Sequence, residues 1–128
     1  MNKLFFTVLI SSLLVSACIP NAPGGGISGT HIKAKLIRTT CASIVIQIQD
    51  SNYYYLGEQW SNTMSPLTVM TEHAAAVSNP CEFPTDQINV GDLFYFDINS
   101  NPRNDCVVCA MYDAPPAKKV ALKNIIRI

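Results

Sequence analysis

The residues with the widest chemical repertoire in this chain are its cysteines. There are five in 128 residues, and the odd number indicates that one differs in role from the rest. Thiolates act as nucleophiles or metal ligands, whereas paired thiols form the disulfides of exported domains. Cys106 and Cys109 form a C-x-x-C motif, which occurs in redox proteins and as one half of a zinc site. The role of this motif therefore depends on where the protein is located.

The first eighteen residues predict export. A short positive start, Met1 to Lys3, precedes an apolar run from Leu4 to Val15. This run has the length of a signal-peptide core and is too short to cross a bilayer as a stable helix. It is followed by the sequence Val15-Ser16-Ala17-Cys18.

This sequence resembles the lipobox of bacterial lipoproteins. The resemblance implies removal of residues 1–17, a diacylglyceryl group on Cys18 and acylation of the new amino terminus, for example by palmitate. The alternative is an ordinary secretory signal that happens to end before a cysteine. Two or three acyl chains would anchor the protein stably in a membrane. Residues 18–30 would then form a flexible tether with a span of roughly 20 Å.

The residues after Cys18 bear on which membrane carries the anchor. Ile19 stands where lipoproteins retained in the inner membrane commonly have Asp, and no acidic residue precedes Asp50. We therefore expect the cell outer membrane, and its periplasmic face rather than the cell surface.

The four remaining cysteines predict two disulfides. Cys41, Cys81, Cys106 and Cys109 form an even set, as expected of an exported disulfide framework. Long loops gain the most stability, so Cys106 and Cys109 are each expected to pair with Cys41 or Cys81 rather than with each other. We favour Cys41–Cys109 with Cys81–Cys106, and the reverse assignment is the alternative. A C-x-x-C redox pair and a zinc site are the competing interpretations, and no βαβ unit or second C-x-x-C motif favours either.

The elements that must position these cysteines are short strands. Alternating apolar residues from His31 to Asp50 predict one long strand, bent at Arg38-Thr39-Thr40. Further strands are predicted over Tyr53–Trp60, Leu93–Ile98 and Lys118–Ile128, with weaker candidates at 66–70 and 74–77. The three alanines at 74–76 are equally compatible with a short helix. In the last strand, Val120, Leu122, Ile126 and Ile128 are expected to share a face.

These elements predict an all-β domain over residues 31–128. A small five-stranded OB-like barrel fits, and a small β-sandwich is the alternative. The stretch Val90–Ile98, followed by Cys106-Val107-Val108-Cys109 and Lys123-Asn124-Ile125, resembles small, uncharacterised OB-fold-like lipoproteins of the Bacteroidota. That resemblance implies the fold and an envelope location, and it assigns no catalytic residue.

The sequence indicates a protein that is not an enzyme. His31 and His73 are the only histidines, and neither lies in a nucleophile motif such as G-x-S-x-G. Asp92, Asp97, Asp105 and Asp113 could in principle form a catalytic pair, but Asp92 is better explained by a turn and Asp97 by the polar face of its strand, and such a pair normally needs a larger cleft. Nine basic and nine acidic residues balance, which argues against a nucleic-acid partner. We expect no cofactor and no metal.

Aromatic residues provide a candidate ligand surface. On the predicted strand, Tyr53 and Tyr55 would share one side and Tyr54 the other. Together with Trp60 they could stack on a sugar or a peptide, or they could fill the core. The basic residues at 118–127 could face anionic lipid, but lysines more often protect an edge strand.

Three hypotheses for function follow. The first is a membrane-anchored interaction or adaptor module of an envelope protein complex. The second is a small-ligand binder that uses the aromatic face. The third is a thiol–disulfide redox protein that uses Cys106 and Cys109.

The lipid anchor is tested by the substitution Cys18→Ala. Without the thiol no diacylglyceryl group can be attached, so the variant should leave the detergent phase of a phase-separation assay and enter the aqueous phase. Equal retention of variant and parent in detergent would overturn the anchor.

Overall fold

The computed structural model describes residues 29–103 and 105–128. The predicted signal peptide, Cys18 and most of the tether lie outside these residues. Within them the chain forms seven strands and two short 3₁₀ helices, and neither helix is long or apolar enough to cross a membrane. The strands are β1 (Ile32–Thr39), β2 (Ile44–Ile48), β3 (Glu58–Asn62), β4 (Val69–Val77), β5 (Leu93–Ile98), β6 (Lys119–Val120) and β7 (Leu122–Arg127); the helices are Ser51–Leu56 and Pro80–Glu82.

The strands form one sheet in the order β3-β4-β2-β1-β5-β7. These pairings are antiparallel, whereas β6 pairs in parallel with β4 over two residue pairs. Only Ala121 separates β6 from β7, so one stretch of chain contacts both β4 and β5. Because this seam is so short, the sheet is not closed into a barrel along its length. The all-β prediction is confirmed, and the open sheet agrees with the sandwich alternative.

The main core lies on one face of the sheet. Alternate residues of β1 and β2 supply much of it, as the sequence predicted, and Phe94 and Phe96 of β5 lie against them. Phe83 and Ile88, from the segment between β4 and β5, complete it. Neighbouring side chains of β2 point to opposite faces, yet Val45 and Ile46 are both fully buried. A second, smaller cluster therefore covers the other face, where Val45 packs with Trp60 and Ala74.

The predicted long first strand is wrong, because the chain reverses at residues 40–43. Thr40 Oγ1 accepts the N–H groups of Ala42 and Ser43 at 3.1 and 3.0 Å. The Thr40 N–H donates to the Ser43 carbonyl at 2.9 Å, which completes a tight hairpin turn. The sequence predicts an irregularity at Arg38-Thr39-Thr40; the register shift of β1 against β2 lies just before this stretch, between Leu36 and Arg38.

The predicted strand Tyr53–Trp60 is also wrong over its first half. The Asp50 side chain accepts the Asn52 N–H at 3.1 Å and begins a 3₁₀ helix that ends at Leu56. The strand β3 begins only at Glu58. The alanines at 74–76 are in a strand, since β4 is paired along both edges there.

A bulge changes which residues of the last strand face the core. Asn124 has φ of +50°, a conformation that Asn tolerates better than most residues, and the register with β5 shifts nearby. Ile125 consequently packs against the core, whereas Ile126 and Ile128 are 56% and 59% exposed. The prediction that Ile126 and Ile128 share the buried face of Leu122 is therefore wrong.

Gly57 is required by a close approach between two backbone segments. His73 in β4 has φ of +57°, and its backbone bulges toward Gly57. A Cβ atom at position 57 would overlap the backbone carbonyl of His73. The absence of a side chain thus allows β3 to pair with β4 beyond the bulge.

The substitution Gly57→Ala should destabilise the domain by about 3 kcal/mol, because backbone atoms must move to admit the methyl group. Gly91→Ala is the matched control. Gly91 has φ of +96° but open space where its Cβ would lie, so only about 1 kcal/mol of backbone strain is expected. Urea unfolding of both variants measures the difference, and equal losses would contradict the close-approach argument.

Candidate functional site

Two disulfides attach the segment between β5 and β6 to the rest of the domain. Cys41 pairs with Cys109 and Cys81 with Cys106, the favoured assignment, with Cα–Cα distances of 5.5 and 5.6 Å. The sequence separations are 68 and 25 residues. In the chain-entropy model, such loops contribute about 4.4 and 3.5 kcal/mol. Residues 106–109 are therefore held against the β1–β2 turn and against the helix Pro80–Glu82.

This pairing bears on the redox and zinc interpretations. Cys106 and Cys109 are each bonded to a distant cysteine rather than to each other, so the C-x-x-C motif is not a dithiol pair in this structure. All four sulfurs are in disulfides, which leaves no thiolate among them for zinc. Across residues 29–103 and 105–128, no group of three or more His, Cys, Asp or Glu residues is placed to hold a metal ion.

Asp113 forms the centre of a buried hydrogen-bond network. The residue is 3% exposed, and its Oδ2 accepts from Thr40 Oγ1 at 2.5 Å and from Ser43 Oγ at 2.6 Å. Arg38 Nη2 lies 3.2 Å from the same oxygen. Burial opposes ionisation of Asp113, but the hydrogen bonds from Ser43 and Thr40 and the charge of Arg38 outweigh it and lower its pKa below the ordinary value.

Arg38 connects this carboxylate to β3. Its Nη1 donates to Asn62 Oδ1 at 3.3 Å, and its Nη2 donates to Ser43 Oγ at 3.1 Å. The guanidinium carbon lies 4.8 Å from the centre of the Trp60 ring. Burying two charges costs several kcal/mol per ion, so the pair contributes more to fixing one arrangement of the segments than to net stability. We call Arg38, Thr40, Ser43, Asn62 and Asp113 the Arg38–Asp113 network.

The predicted aromatic face is not assembled as the sequence suggested. Trp60 is only 7% exposed and donates its Nε1–H to the Ala114 carbonyl at 2.9 Å, so its ring is not available for stacking on a ligand. Tyr53 packs against the main core. Tyr54 and Tyr55 are 37% and 55% exposed, and Tyr54 stacks on His73 with ring centres 3.6 Å apart. The three tyrosines lie in the 3₁₀ helix Ser51–Leu56, so their side chains do not alternate as they would on the predicted strand.

The remaining candidate residues have structural contacts. The His31 ring stacks on Tyr95, and its backbone N–H donates to Asp97 at 2.7 Å. Asn124 also donates to Asp97, and these two hydrogen bonds lower the pKa of that carboxyl. At the basic edge, Lys118 Nζ donates to the carbonyls of Tyr55 and Gly57.

Three segments without a charged residue contain or adjoin members of the Arg38–Asp113 network. Residues 39–44 include Thr40 and Ser43, residues 60–71 include Asn62, and residues 106–112 precede Asp113. We call their combined surface the uncharged end. It exposes seven large apolar side chains by more than two fifths: Met64, Leu67, Val69, Met70, Val107, Val108 and Met111; Tyr112 is 88% exposed.

Sequence reasoning did not identify the uncharged end, although a signal was present. Each of its segments lies within a stretch without charged residues, namely residues 39–49, 59–71 and 106–112. Their convergence depends on contacts distant in sequence, such as Ser43–Asp113 and Arg38–Asn62. Periodicity of apolar residues does not reveal such contacts.

Replacing the central carboxylate tests the network. Asp113→Asn removes the charge that pairs with buried Arg38, and the variant should lose about 3 kcal/mol of unfolding free energy. Asp105→Asn is the matched control, since Asp105 pairs with Arg103 on the surface, with side chains 66% and 70% exposed. Its stability should match that of the parent.

The same residue predicts a pH dependence. The pKa of Asp113 is lower in the folded chain than in the unfolded chain. Its stabilisation is therefore complete above the unfolded value, about 3.9, and is lost as pH falls through the folded value. Urea unfolding between pH 6 and about pH 2.5 should show a shallower acid loss for Asp113→Asn than for the parent. If the unfolding free energies of variant and parent fall in parallel with pH, Asp113 does not cause the acid loss.

Comparison with known proteins gives no relative of this chain. No family model, no curated protein and no solved structure matches it.

Proposed function

We propose that this chain is an exported, lipid-anchored interaction module without catalytic activity, which binds a partner in an envelope protein complex through its uncharged end. The proposal rests on one observation: residues 106–112 expose apolar side chains although their backbone is held in place. Val107 is 90% and Tyr112 88% exposed, yet two disulfides and buried Asp113 hold the segment. Exposed apolar patches on soluble domains mark interaction sites.

Fixation of the loop favours binding. A flexible apolar loop loses conformational entropy when it binds, at about 0.5–1.5 kcal/mol for each immobilised side chain. In this domain the backbone near Val107 and Val108 is restrained before any partner arrives. The disulfides are thus consistent with a preorganised binding surface as well as with stability.

Export and anchoring are supported by two independent features. The lipobox at residues 15–18 predicts the anchor, and two disulfides are typical of an oxidising compartment. We place the domain at the outer membrane, facing the periplasm, with the tether of residues 18–30 between the bilayer and the domain.

The small-ligand alternative retains only part of its site. Tyr54, stacked on His73, and Tyr55 are exposed, whereas Trp60 is covered. The redox alternative is weaker, since Cys106 and Cys109 have separate disulfide partners. Neither alternative accounts for the apolar side chains of the uncharged end.

Site-specific crosslinking in native membranes tests the proposal. With a photoreactive phenylalanine analogue at position 112 and a C-terminal tag, we expect one abundant adduct of defined mass, identified by mass spectrometry. The same analogue at position 126 is the control, because Ile126 is 56% exposed on β7, outside the uncharged end. Absence of an adduct at 112, or the same adduct at both positions, would refute this binding surface.

A further inference from the structure

A groove crosses the uncharged end between two of its segments. One wall is the β1–β2 turn, residues 39–44, and the other is formed by Val107 and Val108. Pro80, Cys81 and Thr85 also line it. Its cavity volume is about 170 Å³, smaller than a pocket that encloses a drug-sized ligand, so it is a shallow cleft open to solvent.

No charged residue lines this groove. All eleven lining residues are apolar or carry neutral polar groups such as the hydroxyls of Thr39, Thr40 and Ser43. Arg38 and Asp113, which contact Ser43 of the lining, are buried and neutralise each other. Glu82 and Asp86 follow Cys81 and Thr85 in sequence but do not line the groove. On the other side of Val108, a neighbouring cleft includes Lys119, so the uncharged surface ends there. A charged group bound in the groove would lose hydration without gaining an opposite charge, which disfavours charged partners.

The backbone of residues 105–112 favours a polypeptide over lipid as the molecule that binds in the groove. In residues 105–112, the one backbone–backbone hydrogen bond the structure shows is from Cys109 N–H to the Cys41 carbonyl, at 3.2 Å. Insertion into hydrocarbon would leave the other N–H and C=O groups without partners, at several kcal/mol each. A peptide backbone laid along the loop can instead pair with these groups while its side chains contact Val107 and Val108.

We propose that this groove binds an uncharged segment of the partner's polypeptide chain, with backbone hydrogen bonds to Val107 and Val108. This inference rests on the proposed function and adds the chemistry of the partner. The exposed hydroxyls of Thr39 and Thr85 can pair with backbone or with Ser, Thr and amide side chains, whereas those of Thr40 and Ser43 are used within the Arg38–Asp113 network. The bound segment is expected to alternate apolar and neutral polar residues.

The probe is a peptide of alternating valine and threonine, acetylated and amidated so that it carries no charge. Calorimetric titration into the oxidised domain should show saturable binding. Two further peptides have every threonine replaced by glutamate or by lysine, and each should bind at least tenfold more weakly, a difference of about 1.4 kcal/mol. Equal binding of all three, or binding of a charged peptide alone, would overturn the inference.

Variants locate the binding. Val108→Lys places a charge in the groove and should weaken binding of the neutral peptide at least tenfold. Ile126→Lys is the matched control and should bind like the parent. Fluorescence of Trp60, the chain's single tryptophan, gives a second measure of binding. Its ring contacts Arg38, and Arg38 donates a hydrogen bond to Ser43, which lines the groove. Unchanged thermal unfolding of Val108→Lys shows that any loss of binding is local; if Val108→Lys unfolds, Val108→Ala replaces it.

The outcomes separate this inference from the proposed function. If position 112 crosslinks to a partner but the neutral peptide does not bind, the inference of an uncharged partner segment is refuted and the proposed interaction module is not. Failure of both would refute both. Binding to phosphatidylcholine vesicles through Val108, with no peptide binding, would overturn the polypeptide in favour of lipid.

Discussion

The arrangement of the uncharged end depends on one buried ion pair. The Asp113 carboxylate contacts Thr40 and Ser43 in the β1–β2 turn, and Arg38 extends the same network to Asn62 in β3. Three segments distant in sequence are thereby fixed relative to one another. Because charges inside a protein are costly unless each is paired, only the arrangement that brings them together is acceptable. The pair acts as a specificity device more than as a source of stability.

The disulfides and the ion pair have complementary effects. Each disulfide restrains one point of the loop, at Cys106 and Cys109, mainly by reducing the entropy of the unfolded chain. Asp113 and the hydrogen bond from Trp60 to Ala114 restrain the return of the chain toward β6. Residues 106–112 can therefore be exposed and apolar without needing contacts of their own to the main core.

Sequence reasoning identified what local patterns encode. Alternation along residues 32–36, 44–48 and 93–98 reflects strands with one face in the main core, and those strands are present. The even cysteine count and the loop-length argument predicted two long-range bridges and disfavoured a Cys106–Cys109 bridge; of the two assignments left open, the favoured one is observed. The errors arose where a single polar side chain redirected the backbone. Thr40 closes a turn, Asp50 begins a 3₁₀ helix and Asn124 forms a bulge, and each overrides the periodicity of its apolar neighbours.

The candidate site was harder to predict than the fold because the exposure of its residues is the reverse of what their sequence context suggests. Trp60 and the tyrosines resemble a ligand platform in sequence, yet Trp60 is covered because Arg38 and Ala114 occupy its polar and aromatic contacts. Val107 and Tyr112 resemble core residues, yet they are exposed because the disulfides hold their segment outside the sheet. An apolar surface of this kind persists in water only if it cannot collapse onto the core. The covalent attachment at Cys106 and Cys109 and the buried ion pair of Asp113 hold residues 106–112 away from the core, so the same features that stabilise the fold keep this apolar surface exposed.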